Sequence, residues 1–209
     1  GKFESQIGDG YEGVLYASDI SPDGKLLAVS GYPVSTEKEN YVVVIDLVKG
    51  TQVATALSGS PEVINALGFI DDGKYLVGGG DDGKKKIWIV GIPPTLTLAA
   101  TISVGAPVKY FAINRVTKDV AVAAEGKTEI LIYSLVGLEK GAVKSTPKVL
   151  KRHKGEINKL AYAGSGMYLA SSSYETAEFF LWKTDGSFVK EFPSLADVNA
   201  IAFSSDGKI

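Results

Sequence analysis

The fold prediction starts from the sequence Ile20-Ser-Pro-Asp-Gly24-Lys-Leu-Leu-Ala-Val29. It places an Asp-Gly pair between two apolar runs, and glycine supplies the positive φ that a tight hairpin turn needs. Related text returns as Phe69-Ile-Asp-Asp-Gly73-Lys-Tyr-Leu-Val77, as Tyr162-Ala-Gly-Ser-Gly166-Met-Tyr-Leu-Ala170 and as Phe203-Ser-Ser-Asp-Gly207-Lys-Ile209. The chain is therefore predicted to repeat one β-hairpin along its length, and the last match begins a further copy.

The spacing of these hairpins indicates the size of the repeat. The apolar residue four places before the turn position serves as an anchor, and successive anchors lie 49, 44, 49 and 41 residues apart. A period in the mid-forties is typical of a four-stranded propeller blade. The anchors are Ile20, Phe69, Ile113, Tyr162 and Phe203.

Two more strands are predicted after each hairpin, and helical periodicity is absent. We therefore predict an all-β chain, a β-propeller of four-stranded antiparallel blades with four full blades and partial ones at the ends. The third strands are predicted at 41–47, 86–90, 129–135 and 178–183, and the fourth at 52–57, 97–102, 147–150 and 187–192. The copies span 14–57, 64–102, 108–150 and 157–192, with a partial copy at 199–209.

The third strands resemble those of the WD-repeat family, which typically end in Trp-Asp. Trp88 and Trp182 keep the tryptophan, and Asp46 keeps the aspartate, so the repeats are degenerate. The family also places an aspartate six residues before the tryptophan. Asp82 has that spacing from Trp88, whereas Glu175 lies seven residues before Trp182. The resemblance covers essentially the whole chain.

The resemblance also implies a structural role for the one histidine of the chain, His153. His153 lies in the polar loop that enters the fourth copy, and histidine at this position of a WD repeat usually bonds within its own blade. Asp82, Trp88 and Trp182 are assigned structural roles as well. The aspartate pairs at 71–72 and 81–82 precede turn glycines, where aspartate bonds the local backbone. They lack the ligand spacing of a calcium loop. We predict no catalytic residue, no metal and no cofactor.

Composition narrows the function classes further. The chain has no cysteine, and its net charge is -2 with 22% charged residues, whereas nucleic-acid-binding domains are usually strongly basic. No apolar run approaches the about 20 residues of a membrane helix. We therefore expect neither a nucleic-acid nor a membrane partner. The compartment stays open, with a soluble location in the cytoplasm preferred.

The number of copies implies an incomplete ring. A seven-bladed propeller needs about 300 residues, and this chain has 209. We expect missing sequence or another chain to supply the remaining blades. Residues 3–7 are predicted as a lone outer strand that precedes the first copy.

The resemblance places two sets of loops on one rim of the propeller, those from the fourth strand to the next first strand and those from the second to the third. Loops on a rigid scaffold carry function, and tyrosine and arginine are frequent in interface hot spots. We predict that this rim binds a protein or peptide. Its residues are Tyr11, Glu12, Tyr32, Lys38, Lys84, Lys127, Arg152, Lys154, Tyr174 and Asp197.

A basic stretch from Lys140 to Lys154 has two interpretations. It could attract an acidic partner or phosphate, or it could be a solvated face. For the whole chain we predict a non-catalytic interaction scaffold. The alternatives are a propeller enzyme of the lactonase type, whose hairpins are similar, and the accessory propeller of a larger enzyme.

Overall fold

The computed structural model describes residues 15–31, 41–57, 64–70, 73–80, 86–91, 97–144, 146–193 and 198–204. At residues 41, 54–57, 86–91 and 97–98 only the backbone is described. The chain divides into two compact units, residues 1–107 and 108–209, each with its own sheets. The strand predicted at 3–7 lies outside the described residues.

The described part of the first unit forms two four-stranded antiparallel sheets in which neighbouring strands follow one another along the chain. Sheet I contains β1 (Leu15–Ile20), β2 (Leu26–Gly31), β3 (Tyr41–Asp46) and β4 (Thr51–Leu57). Sheet II contains β5 (Ile64–Ile70), β6 (Tyr75–Gly80), β7 (Lys86–Gly91) and β8 (Thr97–Ser103).

The turn between β1 and β2 shows why the repeated sequence forms a hairpin. The Ser21 hydroxyl donates to Asp23 Oδ1 at 2.7 Å and accepts from the N–H of Leu26 at 2.8 Å. Gly24 takes φ +72°, which most side chains would disfavour. The hydrogen bond from Ser21, with further bonds from Lys25, lowers the pKa of Asp23 to about 2. The carboxylate is therefore ionised and closes the turn at neutral pH.

Sheets I and II bury one apolar face each against the other. Asp19 of β1 accepts a hydrogen bond from the N–H of Phe69 in β5 at 2.7 Å, and the Ser30 hydroxyl donates to the carbonyl oxygen of Ile64 at 3.4 Å. These polar bonds set the alignment of the two sheets. The buried cluster contains Ala28, Val42 and Val44 of sheet I and Ile64, Leu67, Phe69 and Leu76 of sheet II.

The second unit has the same plan. Sheet III contains β9 (Val108–Asn114), β10 (Asp119–Ala124), β11 (Glu129–Ser134) and β12 (Lys148–Lys151). Sheet IV contains β13 (Ile157–Tyr162), β14 (Tyr168–Ser173), β15 (Phe179–Lys183) and β16 (Phe188–Phe192). One 3-10 turn, Leu138–Lys140, lies between β11 and β12.

The core of the second unit lies between sheets III and IV. Its side chains alternate along their strands, as the two-residue period of a strand requires. Tyr162 packs against this core, and burial, with a smaller effect of the Asp119 charge, raises the pKa of its hydroxyl. The buried cluster contains Ala121, Ala123, Ile130, Ile132, Leu150, Ile157, Leu169, Phe180 and Trp182.

The predicted fold class is confirmed, since the described residues form four-stranded antiparallel sheets consistent with propeller blades. No helix within the described ranges has the length and apolar character needed to cross a membrane. The described part of the partial copy predicted at 199–209, residues 199–204, is in no strand. Asn158 Nδ2 donates to the carbonyl oxygen of Val198 at 2.9 Å, but no described residue forms a ladder with this segment. Blade number and ring closure stay predictions.

We expect Asn114→Ala to lower the free energy of unfolding of the second unit by about 1–3 kcal/mol. Asn114 is 1% exposed and donates to the carbonyl oxygen of Gly166 at 2.8 Å. It also accepts from the N–H groups of Val116 and Thr117, so alanine would leave buried polar groups without partners. Urea denaturation measures the change. The control Ser165→Ala, at an exposed position on the adjoining turn, should stay within about 0.5 kcal/mol of wild type, and an equal loss in both variants would contradict the expectation.

Candidate functional site

His153 lies in the connector between β12 and β13, and its side chain is 1% exposed. Its Nε2 lies 2.7 Å from the hydroxyl oxygen of Ser171 in β14, and its Nδ1 lies 3.2 Å from Glu178 Oε2. The Trp182 indole N–H donates to the same Ser171 oxygen at 2.8 Å. The imidazole ring stacks on Phe180 with ring centroids 4.4 Å apart. The connector is therefore attached to sheet IV by one polar chain.

The hydrogen-bond directions in this chain follow from its donors. Because Ser171 accepts from Trp182, its own hydroxyl proton is available to donate to His153 Nε2. The proton on Nδ1 then donates to Glu178, which makes His153 neutral. Burial lowers the pKa of His153, and this effect outweighs the nearby Glu178 carboxylate, which raises it. The contact between the two residues is thus a hydrogen bond rather than an ion pair.

Ser171, His153 and Glu178, joined in that order by hydrogen bonds, resemble a nucleophile with its general base and orienting acid, but their geometry indicates a structural role. Ser171 is 0% exposed, and its oxygen accepts from Trp182. A nucleophile must reach a reacting carbonyl, whereas the contacts of this hydroxyl within the described residues are the buried side chains of His153 and Trp182. The hydrogen bonds that join Ser171, His153 and Glu178 therefore attach the connector to sheet IV and order the residues around Glu178.

Glu178 organises the loop between β14 and β15. Its Oε2 accepts from the N–H of Lys154 at 2.8 Å and from the hydroxyls of Thr176 at 3.0 Å and Ser173 at 3.1 Å. Partial burial raises the pKa of Glu178, but these bonds together with that from His153 lower it on balance. The carboxylate stays ionised and ties the connector to the loop.

The loop itself adopts a strained conformation. The N–H of Thr176 donates to the carbonyl oxygen of Tyr174 at 2.8 Å, and the residue between them, Glu175, has φ +67°. These features define a γ-turn with positive φ, a rare and strained turn. Ala177 also has a positive φ of +50°. Each such non-glycine conformation costs about 1–3 kcal/mol and persists only where the surroundings enforce it.

Gly155 of the connector lies directly beneath this loop. A Cβ at this position would collide with the carbonyl oxygen of Tyr174 and lie 2.7 Å from Thr176 Oγ1. Glycine is therefore required by close approach of the loop, and the contact limits the space in which the loop can move.

Glu156 joins this loop to a third segment. Its Oε1 accepts from the N–H of Gly126, in the turn between β10 and β11, at 3.1 Å. Its backbone oxygen accepts from the N–H of Tyr174 at 2.7 Å. Residues 125–128, 152–156 and 174–178 thus meet at one end of the second unit, which we call the loop end. Of the predicted rim residues, Lys127, Arg152, Lys154 and Tyr174 lie in these segments.

The Arg152 side chain packs on aromatic rings of sheet IV, whereas its place in the predicted rim suggested a contact with a partner. Its guanidinium carbon lies 3.7 Å from the centroid of the Phe188 ring and 5.6 Å from that of Phe180. The side chain packs on sheet IV by a cation–π contact, so its replacement would disturb packing as well as charge.

The remaining predicted residues are placed as follows. Trp88 belongs to β7, where only the backbone is described. The acidic partner of His153 is Glu178, four residues before Trp182, whereas Glu175 forms the strained turn. Outside the described residues lie Tyr11, Glu12, Tyr32, Lys38, Lys84, Asp82 and Asp197, with both aspartate pairs.

Several site residues were missed by the sequence reasoning, namely Ser171, Glu178, Gly155 and Glu156. A detectable signal existed for the first of these. Ser171, Ser172 and Ser173 are consecutive hydroxyl residues in a strand expected to be buried, and buried hydroxyls need hydrogen-bond partners. Trp182 and His153 were available in the neighbouring sequence as hydrogen-bonding partners for these hydroxyls.

Part of the basic stretch is engaged within the unit. Lys148 Nζ donates to the carbonyl oxygens of Thr184 at 3.3 Å and Asp185 at 3.1 Å, and Lys151 pairs with Glu129 at 3.8 Å. Within the described ranges, no three histidine or acidic side chains converge so that they could hold a metal ion. Lys148 and Lys151 thus contact other parts of the second unit, whereas the exposed Lys154 side chain makes no hydrogen bond or ion pair with another described residue.

The model of the WD domain, G-beta repeat, matches residues 50–88. The match begins just before β4 and ends within β7, so this repeat contributes one strand to sheet I and three to sheet II. The resemblance to WD repeats is confirmed for this part of the chain. None of the curated proteins compared with the chain matches it. WD40 domains commonly bind proteins.

We expect the stability of the second unit to fall as the pH drops below about 6.5, the ordinary histidine pKa. The folded pKa of His153 is lowered, so the unfolded chain binds the proton more readily and acid favours unfolding. Stability is full above the unfolded pKa and is lost as the pH falls toward the folded pKa, with a slope of at most one proton, about 1.4 kcal/mol per pH unit. Urea midpoints between about pH 7.5 and 5.5 measure it.

The control for this titration is His153→Gln, which removes the only histidine of the chain. Its urea midpoint should be lower than that of wild type at neutral pH and should change less across the same range. A wild-type midpoint that does not depend on pH in this range would contradict the neutral, buried state of His153.

We expect Gly155→Ala to lower the free energy of unfolding by about 1–3 kcal/mol, since the added methyl group meets backbone and cannot be accommodated by a rotamer change. Gly164→Ala is the matched control, because a Cβ there meets no atom within 4 Å. It should change stability by no more than about 0.5 kcal/mol. Similar stability of the two variants in thermal or urea unfolding would show that the loop does not press on Gly155.

Proposed function

We propose that this chain is a non-catalytic scaffold and that the loop end of its second unit binds a protein or peptide segment. The observation that carries the proposal is the strained γ-turn at Glu175, held over Gly155 and presenting Tyr174 with 52% of its surface exposed. Strained backbone clusters at binding and catalytic sites. Such a turn is costly for a loop that only connects two strands.

Rigidity is the first physical support. Glu178 Oε2 accepts four hydrogen bonds from the connector and the loop, and Glu156 bonds the loop to the neighbouring turn. A loop ordered before binding loses little conformational entropy when a partner docks. More of the contact energy then appears as affinity.

The nature of the exposed side chain is the second support. Tyrosine combines a large apolar ring with a polar hydroxyl, and it has only two side-chain torsions to order on binding. Lys127 and Lys154 flank it on the adjoining segments and offer apolar stems with charged ends. An aromatic anchor with a polar surround is the usual composition of an interface hot spot.

We expect Tyr174→Ala to weaken binding of a selected peptide by about tenfold or more, since truncating a hot-spot aromatic costs about 2 kcal/mol. Short random peptides displayed on phage are selected on the wild-type protein, and the best binder is measured by fluorescence anisotropy. The matched control is Tyr16→Ala, which removes another exposed tyrosine, 44% exposed, from the first unit. It should leave the dissociation constant within about twofold.

Circular dichroism and thermal unfolding verify that both variants keep the fold. Selected peptides that bind Tyr174→Ala as tightly as wild type would overturn the proposal. Equal weakening by both tyrosine variants would do the same, because binding would then not be local to the loop end.

A further inference from the structure

Four segments of the second unit meet at the end opposite the loop end, where β10 and β14 begin. The N–H of Leu135 donates to the carbonyl oxygen of Lys118 at 2.7 Å and so joins the segment after β11 to the turn between β9 and β10. The N–H of Thr184 donates to the carbonyl oxygen of Met167 at 3.1 Å and so joins the β15–β16 turn to the β13–β14 turn. We call this surface the hairpin end, and it comprises residues 115–119, 135–144, 146–148, 163–167 and 183–187.

Two turns of the hairpin end are packed tightly and still expose apolar side chains. Asn114 Nδ2 donates to the carbonyl oxygen of Gly166 at 2.8 Å, and a Cβ at Gly166 would lie 2.7 Å from that of Val116. Val116 nevertheless exposes 65% of its surface, and Met167 exposes 57%. Because both turns are fixed, this apolar surface is formed before binding, and little entropy is lost when a partner docks.

The hairpin end also has an excess of positive charge, counted over all its ionisable side chains. It holds six basic and three acidic residues, a formal charge of +3, in a chain whose net charge is -2. The basic residues are Arg115, Lys118, Lys140, Lys144, Lys148 and Lys183, and the acidic residues are Asp119, Glu139 and Asp185. Lys148 Nζ donates to the carbonyl oxygens of Thr184 and Asp185, and these neutral acceptors leave its charge in place. The segments of the loop end have the opposite balance, with three basic and four acidic residues.

From these two features we infer that the hairpin end is a second binding surface, which takes an acidic segment of a partner protein. The carboxylates of the segment pair with the exposed lysines Lys140, Lys144 and Lys183. An aliphatic side chain between those carboxylates packs on Val116 and Met167, and the flexible thioether of methionine adapts to its shape. The positive charge steers the segment toward the surface over about 8 Å at physiological salt. This inference goes beyond the proposed function, which concerns the loop end.

An acidic protein segment fits this surface better than a nucleic acid or a membrane does. The segments of the hairpin end contain no aromatic residue. Recognition of a single nucleic-acid strand combines a basic groove with aromatic side chains that stack successive bases. Proteins that bind a bilayer surface usually place aromatic anchors at the level of the headgroups. Lysines around a small aliphatic surface suit a segment in which carboxylates flank one aliphatic side chain.

The first experiment selects short peptides displayed on phage, with alternate positions limited to Asp and Glu and the others free. We expect aliphatic residues to be enriched at the free positions. The best peptide is compared by fluorescence anisotropy with a version in which every Asp and Glu is replaced by Asn and Gln. The amide version should bind about tenfold more weakly, and this ratio should shrink as salt rises from about 50 to about 200 mM. Equal binding by the amide version, or selected peptides without aliphatic enrichment, would overturn the inference.

The second experiment assigns the charge effect to the hairpin end. Lys140→Glu/Lys144→Glu should weaken binding of the selected acidic peptide by about tenfold or more. The control Lys151→Glu/Lys190→Glu makes the same change of charge at exposed lysines of β12 and β16 and should weaken it by less than about threefold. Equal weakening by the two double variants would overturn the inference, since only the net charge would then matter.

The third experiment tests the apolar contact. Val116→Thr/Met167→Gln should weaken the same peptide by about fivefold, because both side chains lose apolar surface that the peptide covers. The matched control Val149→Thr/Val189→Thr changes two side chains of β12 and β16, each 41% exposed, and should stay within about twofold of wild type. Circular dichroism and urea unfolding verify that all variants keep the fold. Equal binding by the two double variants would overturn the inference.

Competition distinguishes the hairpin end from the loop end and an acidic protein segment from other anions. The unlabelled acidic peptide should not displace the peptide whose binding depends on Tyr174, and displacement would place both at one site and overturn the inference. Vesicles that contain phosphatidylserine, or poly-dT, should displace the acidic peptide poorly at the same concentration of negative charge. Equal displacement by either would show a general anion surface, for a membrane or a nucleic acid, and would also overturn the inference.

Discussion

The second unit depends on one buried hydroxyl, that of Ser171. It accepts from the Trp182 indole and donates to His153 Nε2, so the imidazole carries its proton on Nδ1 and donates it to Glu178. That bond orients the carboxylate that holds the loop after β14. Because each group has one available direction, the chain of bonds transmits order from the interior of sheet IV to the surface. The Ser171 hydroxyl, the His153 ring and the Glu178 carboxylate act as one hydrogen-bonded unit.

The cost of the γ-turn is offset by bonds that the turn itself makes possible. Glu175 and Ala177 have positive φ angles, and the loop packs closely against Gly155. In exchange, the Glu178 carboxylate is satisfied by the hydroxyls and N–H that surround it. A loop already fixed by the core would also lose little entropy on docking the proposed partner.

Much of the fold could be predicted from the sequence. Period-two alternation and Asp-Gly turns act within a few residues, so the hairpin at Gly24 and third strands such as Glu129–Ser134 followed from local pattern. The segment 198–204 shows the limit. Its apolar alternation is that of a strand, yet strand formation needs a paired neighbour, and pairing is not a local property.

The candidate site was predictable only in part. Lys127, Lys154 and Tyr174 were assigned to one rim from the resemblance, and the structure brings their segments together through Glu156. Arg152 was assigned there too, but its guanidinium packs on Phe188. A long flexible side chain can contact an aromatic ring that is distant in sequence, and the spacing along the chain does not indicate which ring it contacts.

Local sequence was enough to predict the strands and their hairpin turns, because turn geometry and apolar alternation depend on residues that are near neighbours in the chain. Only the packed structure shows that Glu178 is the acid bonded to His153 and that Lys109 pairs with Glu125. The reason is physical. A hydrogen bond tests distance and angle within a few tenths of an ångström, and those are set only when strands from different parts of the chain have packed.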